Sequence, residues 1–262
     1  MGIFTKRSDL EKEWEALRKQ ETAYIRWKEK RQETFVNKKL QDKVPKKLQE
    51  KLDAAFSKAF FLVFEKGTAV IEKTYKKEEI QKEYKVREYA AKLSPRRKYL
   101  KEFKKKSKDS FKKNLFLSGV EGIGLGVLGI GLPDIPIFVG MILKSIYEIS
   151  LIYGYSYEEE KERLYILQLI QNAMSYGKEF EKGETKIDDI LNRREGYDMK
   201  EEILRTSQLL SKELIYIKFL QGLPAVGVAG GAYNTIYLHK ILTYADIKYR
   251  KRFLTDWKQK WE

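Results

Sequence analysis

LFLSGVEGIGLGVLGIGLPDIPIFVGMIL, residues Leu115 to Leu143, holds only two charged side chains, Glu121 and Asp134. The charge-free runs on either side of Asp134, residues 122–133 and 135–143, each fall short of the roughly 20 apolar residues that span a bilayer as one helix. Pro133 and Pro136 forbid a regular helix through Asp134, because proline lacks the amide donor and its ring clashes with the preceding turn. Two helices that meet near Asp134 satisfy both constraints, as a hairpin dipping into a membrane or as a close pair buried in protein. Either arrangement uses the glycines. Gly122 and Gly126 stand four apart, with Gly119, Gly124, Gly129 and Gly131 around them, so a second backbone can approach closely.

A second apolar stretch, Phe219 to Leu238, repeats the theme. Gly222-Leu223-Pro224 echoes Gly131-Leu132-Pro133, and Gly227 with Gly231 repeats the four-residue spacing. The expected fold is therefore all-α, a multi-helix bundle around two glycine-rich, close-packed helical stretches, with Gly122, Gly126, Gly227 and Gly231 at the packing. GLGVLG, residues 124–129, also matches the dinucleotide fingerprint GxGxxG. That motif needs a preceding strand and an uninterrupted helix after it, and Pro133 arrives four residues after the last glycine.

Working outward, helical periodicity covers most of the chain. Leu10, Trp14, Leu17, Tyr24, Ile25 and Trp27 mark a helix over 9–33 with Ser8 or Asp9 as its cap. Leu48, Leu52, Phe56, Phe60 and Val63 mark another over 46–75. Residues 77–93 continue in this style and stop at Ser94-Pro95. Asp134 is expected to cap a helix running to about Ile152, with Lys144 and Glu148 paired one turn apart. A helix follows from about Glu158. Residues 177–198 read as a short helix between loops, Met199 to Leu220 as a full one, and Ala245 to Glu262 as an amphipathic tail. The domain reading is a basic N-terminal helix in residues 1–44 and a helical domain in 45–262, forming one folded unit.

With 53 Lys+Arg against 38 Asp+Glu, the chain carries a formal net charge of +15. Residues 1–113 hold 34 basic and 18 acidic side chains and residues 114–262 hold 19 and 20, so the excess belongs to the first part. Residues 92–113 alone carry 11 basic side chains against Glu102 and Asp109. This cluster comprises Arg96, Arg97, Lys98, Lys101, Lys104, Lys105, Lys106, Lys108, Lys112 and Lys113 with Lys92. It directly precedes the apolar run, and juxtamembrane basic clusters of this kind favour an anionic lipid surface. The absence of cysteine excludes disulfides and thiolate metal sites, and a single histidine, His239, leaves little for a zinc centre or a histidine relay. No metal and no cofactor are expected. The N-terminus reads as neither a secretory signal nor a myristoylation site.

The residues Gly131-Leu132-Pro133-Asp134-Ile135-Pro136, then Tyr153-Gly154-Tyr155, Tyr165-Ile166-Leu167 and, later, Pro224, Gly227, Gly231, Asn234, Ala245, Tyr249 and Arg252 resemble the EcsC family over roughly residues 45–255. That resemblance implies an all-helical cytoplasmic protein, from a family named after an operon that also encodes an ABC transporter's ATPase and membrane subunits. The expected function is a non-enzymatic accessory or regulatory protein at the cytoplasmic membrane surface, peripherally attached, with an anionic membrane and a membrane protein such as an ABC transporter as partners. Nucleic acid is not an expected partner, because no reading motif accompanies the basic residues. The alternative is a hydrolase or small-ligand binder whose pocket gathers Asp134, Tyr153, Tyr155, Asn234 and Tyr237 between the glycine-rich stretches.

Overall fold

The computed structural model describes residues 8–30, 46–65, 69–94, 96–126, 134–192, 196–221 and 230–261. For 65, 70, 118–126, 134, 216–221, 230–234 and 261 it describes the backbone alone. The protein is an all-α bundle. Its helices are α1 Asp9–Lys30, α2 Lys46–Glu65, α3 Ala69–Glu72, α4 Lys77–Leu93, α5 Arg97–Gly126, α6 Asp134–Ile152, α7 Glu160–Met174, α8 Gly177–Asn192, α9 Met199–Gln221 and α10 Gly230–Trp261.

Local chemistry sets the helix starts. Ser8 Oγ accepts from the Glu11 amide at 3.1 Å while Glu11 Oε2 accepts from the Ser8 amide at 2.6 Å, a reciprocal box that satisfies two otherwise free donors. Asp9, freed from that duty, reaches across to the first turn of α5 and accepts from the Arg97 amide at 2.9 Å. It ties two helix starts together. The hydrogen bond from Lys12, then the one from the Arg97 amide, hold its carboxyl below the ordinary range.

α6 is the core helix. Ile142, Leu143, Ile146, Tyr147 and Ile149 are fully buried, and α2, α4, α5 and α10 all pack on it. Among the described residues it is the one helix long and apolar enough to cross a membrane, and 72% of that stretch is buried within the bundle. Burial against protein on that scale accounts for its apolarity without any lipid contact.

α5 and α10 form the most extensive helix pair and run antiparallel. Phe103 packs at a tilt against Phe253 with ring centroids 4.5 Å apart, Ser107 bonds Asp246, and Phe111 meets His239 edge-on at 5.3 Å. The same sense follows for α5 and α6, where Ser110 reaches Glu148 and Asn114, one turn later, accepts from Lys144, one turn earlier. Phe56 against Phe138, and Gln49 against Ser211, then place the start of α2 and the end of α9 beside the start of α6. One end of the bundle, called the upper end here, thus gathers the last turns of α5 and α9 and the first turns of α2, α6 and α10. The glycine-rich sequences converge on it: Gly122 and Gly126 lie in the last turns of α5 and Gly231 in the first turn of α10. Gly227, with all of 127–133 and 222–229, lies outside the described residues.

Three elements differ from the sequence reading. The helix expected over 46–75 ends at Glu65, and Ala69–Glu72 is a separate single turn. Residues 177–198, expected as a short helix between loops, begin with the 16-residue α8, whose Phe180, Gly183, Ile187 and Ile190 are buried. The expected tail helix is the second half of the 32-residue α10. Within residues 1–44 the described helix α1 belongs to the bundle: Leu17 is buried in the common core, and α1 packs on α5, α8 and α10.

Two glycines are required by shape. Gly154 has φ +89°, and a Cβ there would also overlap the Tyr84 ring, so both backbone and space exclude a side chain. This explains the Tyr153-Gly154-Tyr155 signature after α6. At Gly183 a Cβ would overlap the Asn172 carboxamide, which is how α8 lies so close to α7.

Candidate functional site

α10 carries an unusual density of buried polar side chains between Tyr244 and Arg252, each directed to a different neighbour. Tyr244 donates to Glu184 of α8 and accepts from Asn172 of α7 at 2.7 Å. Asp246 accepts from Ser107 of α5 at 2.5 Å and from Tyr153, just after α6, at 2.9 Å. Lys248 donates to Glu21 of α1 at 3.0 Å and to Glu184 at 2.5 Å. Tyr249 donates to Glu162 of α7 at 2.7 Å, and Arg252 to the same carboxylate at 2.7 Å. Arg250 donates to Glu13 of α1 at 2.7 Å. The segment fastens α1, α5, α7 and α8 onto one rod.

Electrostatics fit a structural clamp. Burial, followed by the neighbouring carboxylates, pushes Tyr153, Tyr244 and Tyr249 well above the ordinary phenol value, so they remain neutral donors to Asp246, Glu184 and Glu162. Burial alone would lower Lys248, but Glu184 and Glu21 outweigh it and its ammonium is held above its usual value. Arg252 also lies over the Tyr155 ring at 3.8 Å, a cation–π contact that adds to the Glu162 pair. Charges buried this way are strongly destabilising when one partner is removed.

The tyrosines expected to converge on a pocket separate instead. Tyr153 bonds Asp246, Tyr155 bonds Asp256 at 2.6 Å, and Tyr237 bonds Glu213 of α9 at 2.7 Å. Asp246 and Asp256 are ten residues apart on one helix, about 15 Å along its axis. The two hydroxyls therefore serve different levels of the bundle, and Tyr237 serves a third. Asp134 is the first residue of α6 and Asn234 lies in the first turns of α10, but both side chains lie outside the described residues, as does any capping by Asp134. Gly124 and Gly126 belong to α5, so no strand leads into the GxGxxG sequence. Among the described residues no group of three His, Asp or Glu side chains could hold a metal ion.

The basic cluster also divides. Arg97 donates to Glu13 at 2.6 Å and Lys106 to Glu83 at 2.7 Å, so these two are paired to neighbouring helices. Lys144 and Glu148 are 4.0 Å apart, the weak pair expected, while Glu148 mainly serves Ser110 and Asn114. Arg96, Lys98, Lys101, Lys105, Lys108, Lys112 and Lys113 are exposed, and Lys104 is half-buried. Near the upper end three large apolar side chains face outward, Phe116 (72% exposed), Ile137 (45%) and Ile236 (46%). Lys112 and Lys113 sit one turn behind Phe116, and Lys240 one turn behind Ile236 with its ammonium over Tyr237. Leu48 is exposed at the start of α2 between Lys47 and Lys51. Burial patterns of this sort cannot be read from sequence; only the antiparallel pairing brings the four positions to one end.

The profile of the EcsC protein family matches residues 9–254, nearly the whole described bundle. The chain belongs to the EcsC family. The match begins at α1, earlier than the residue 45 start suggested by the quoted motifs, and accords with the packing of α1 onto α10. Among curated proteins the chain is similar to Protein EcsC of Bacillus subtilis (strain 168), 29% identical over 133 residues. That alignment covers 50% of this chain and 53% of the relative, so the chain spans about half the length of the protein it matches. No solved structure matches. Of the residues that carried the resemblance, Ala245, Tyr249 and Arg252 lie on the α10 clamp, Tyr153 and Gly154 in the turn after α6, and Tyr165 on α7 with its ring edge-on to Tyr249 at 5.4 Å.

Proposed function

We infer that this EcsC protein is a non-enzymatic accessory protein of the cytoplasmic membrane surface, whose upper end rests on or dips into an anionic bilayer. One observation carries the reading: outward-facing Phe116, Ile137 and Ile236 at the end where the glycine-rich helix termini meet, with Lys112, Lys113 and Lys240 just behind them. Apolar tips followed by a collar of ammonium groups match the layering of acyl chain and phosphate headgroup. Each lysine near an anionic surface contributes about 1 kcal/mol, and each large apolar side chain moved out of water up to about 1.5–3 kcal/mol. Together they favour reversible, salt-sensitive attachment without a spanning helix. A membrane protein, with an ABC transporter as the first candidate, would then be met by the bundle on that surface.

Cosedimentation with phosphatidylglycerol and phosphatidylcholine vesicles tests this. Binding to the anionic vesicles should fall steeply between low and high salt and should drop further in Phe116→Ala/Ile137→Ala. Indifference to lipid charge would overturn the reading.

A further inference from the structure

The lysines of α5 do not all belong to that collar. Lys101, Lys104, Lys105, Lys108 and Lys112 recur three or four residues apart, which puts them on one face of the helix. With Arg97 and Lys98 they line a recess of about 650 Å³ whose opposite wall is Glu13 and Ala16 of α1. Its acids do not neutralise it. Glu13 is already bound by Arg97 on one oxygen and Arg250 on the other, leaving the exposed Glu102 and Asp109 of the lining against Lys98 and these five lysines. None of the five lysines forms an ion pair with a described carboxylate. Behind Glu13, the 97% buried Arg250 keeps its Nη1 without a hydrogen-bond acceptor. Lys104 is held below the ordinary ammonium value by burial and then by Arg250 and Lys108. Like charges one turn apart repel, so the fold tolerates a row of unfavourable pairs here.

Membrane contact at the upper end does not relieve them. From Arg97 to Lys112 the row runs about 22 Å along the helix, whereas an anionic surface acts over a screening length of about 8–10 Å. If the end of the bundle meets the bilayer, the far half of the row stands clear of it. The two groups Lys101, Lys104, Lys105 and Lys108, Lys112 are about 10 Å apart between centres, a spacing that one phosphate does not bridge.

We propose that the recess between α1 and α5 binds a compact ligand carrying two or more phosphate groups, taken from solution. Phosphate suits it because several ammonium groups can share its oxygens. The proposal uses lysines that the membrane reading also drew on, but it rests on the recess and not on bilayer contact, so the two fail separately.

Calorimetric titration of the full chain with sodium tripolyphosphate at physiological salt tests it. Saturable one-to-one binding is expected, weakened about tenfold or more in Lys104→Ala/Lys108→Ala and less than about twofold in Lys47→Ala/Lys51→Ala, which removes the same charge from α2. Thermal melting should show the first variant as stable as the parent, since it removes repulsion. Non-saturating heats, or equal weakening by both variants, would overturn the site. The same variants in the vesicle assay separate the claims: Lys104→Ala/Lys108→Ala should still cosediment with anionic vesicles. A flat tripolyphosphate titration beside intact vesicle binding would remove the recess and leave the membrane reading standing. Loss of vesicle binding in that variant, with tripolyphosphate binding lost too, would instead assign the row to headgroups and end the solution-ligand claim.

Discussion

The middle and the first turns of α10 are built on opposite rules. Between Tyr244 and Arg252 nearly every polar side chain is buried and joined to another helix, whereas above His239 the same helix offers Ile236 to solvent and begins in glycine. In the middle, charge is kept inside and paired across helices. At the upper end, large apolar groups are left out and lysines stand behind them. Under the membrane reading proposed above, the contrast follows from a second phase at the upper end.

The largest expected effect lies in the clamp. Glu13→Ala strands Arg250, which is 3% exposed, and urea unfolding should show a loss of about 3–5 kcal/mol. Adding Arg250→Met should restore a good part of it, because the uncompensated charge goes too; failure to recover would mean that Glu13 acts mainly through Arg97. Gly154→Ala comes next, at about 2–4 kcal/mol from left-handed strain and overlap with Tyr84, read by the same denaturation. Acid stability sharpens the picture further. Burial would raise Glu21, but Lys248 and then Lys251 outweigh it and hold the carboxyl below its ordinary 4.5. A depressed folded pKa supplies stability above about pH 4.5 and loses it as pH falls through the folded value. Glu21→Gln should therefore flatten the stability profile in that acidic window. The smallest effect belongs to the upper end: Phe116→Ala should change unfolding stability by less than about 0.5 kcal/mol while lowering vesicle binding. A large stability loss there would mean that Phe116 packs inside the bundle.

Much of this was legible in the sequence and some was not, for identifiable reasons. Helices such as α1, α2 and α4 declare themselves because one face repeats apolar residues at helical spacing. α10 hides its length, since between Tyr244 and Arg252 its buried apolar residues are interleaved with buried Tyr, Asp, Lys and Arg whose partners lie as far as 237 residues away; no local pattern records them. The family signature was visible, but its physical content was not: Gly154 is fixed by Tyr84, some 70 residues earlier, and Tyr249 and Arg252 by Glu162. The basic run likewise reads as one block, until Glu13 and Glu83 claim Arg97 and Lys106 and the remaining lysines fall into a row. The pocket drawn around Tyr153, Tyr155 and Tyr237 assumed that tyrosines near two glycine-rich stretches converge, and α10 spaces their acids out instead.

Because the chain contains no cysteine, single cysteines can carry an environment-sensitive dye at chosen positions. The decisive experiment places it at Phe116, Ile137, Lys108 and Val86, the last on the outer face of α4 where Val86, Tyr89 and Leu93 are also exposed, and adds anionic vesicles containing brominated lipid. Quenching and a blue shift at 116 and 137, with 108 and 86 unchanged, is the result expected of an end-on bundle. Quenching at 86 with 116 still in water would show that the protein meets lipid through α4 and that the upper end is not its membrane face.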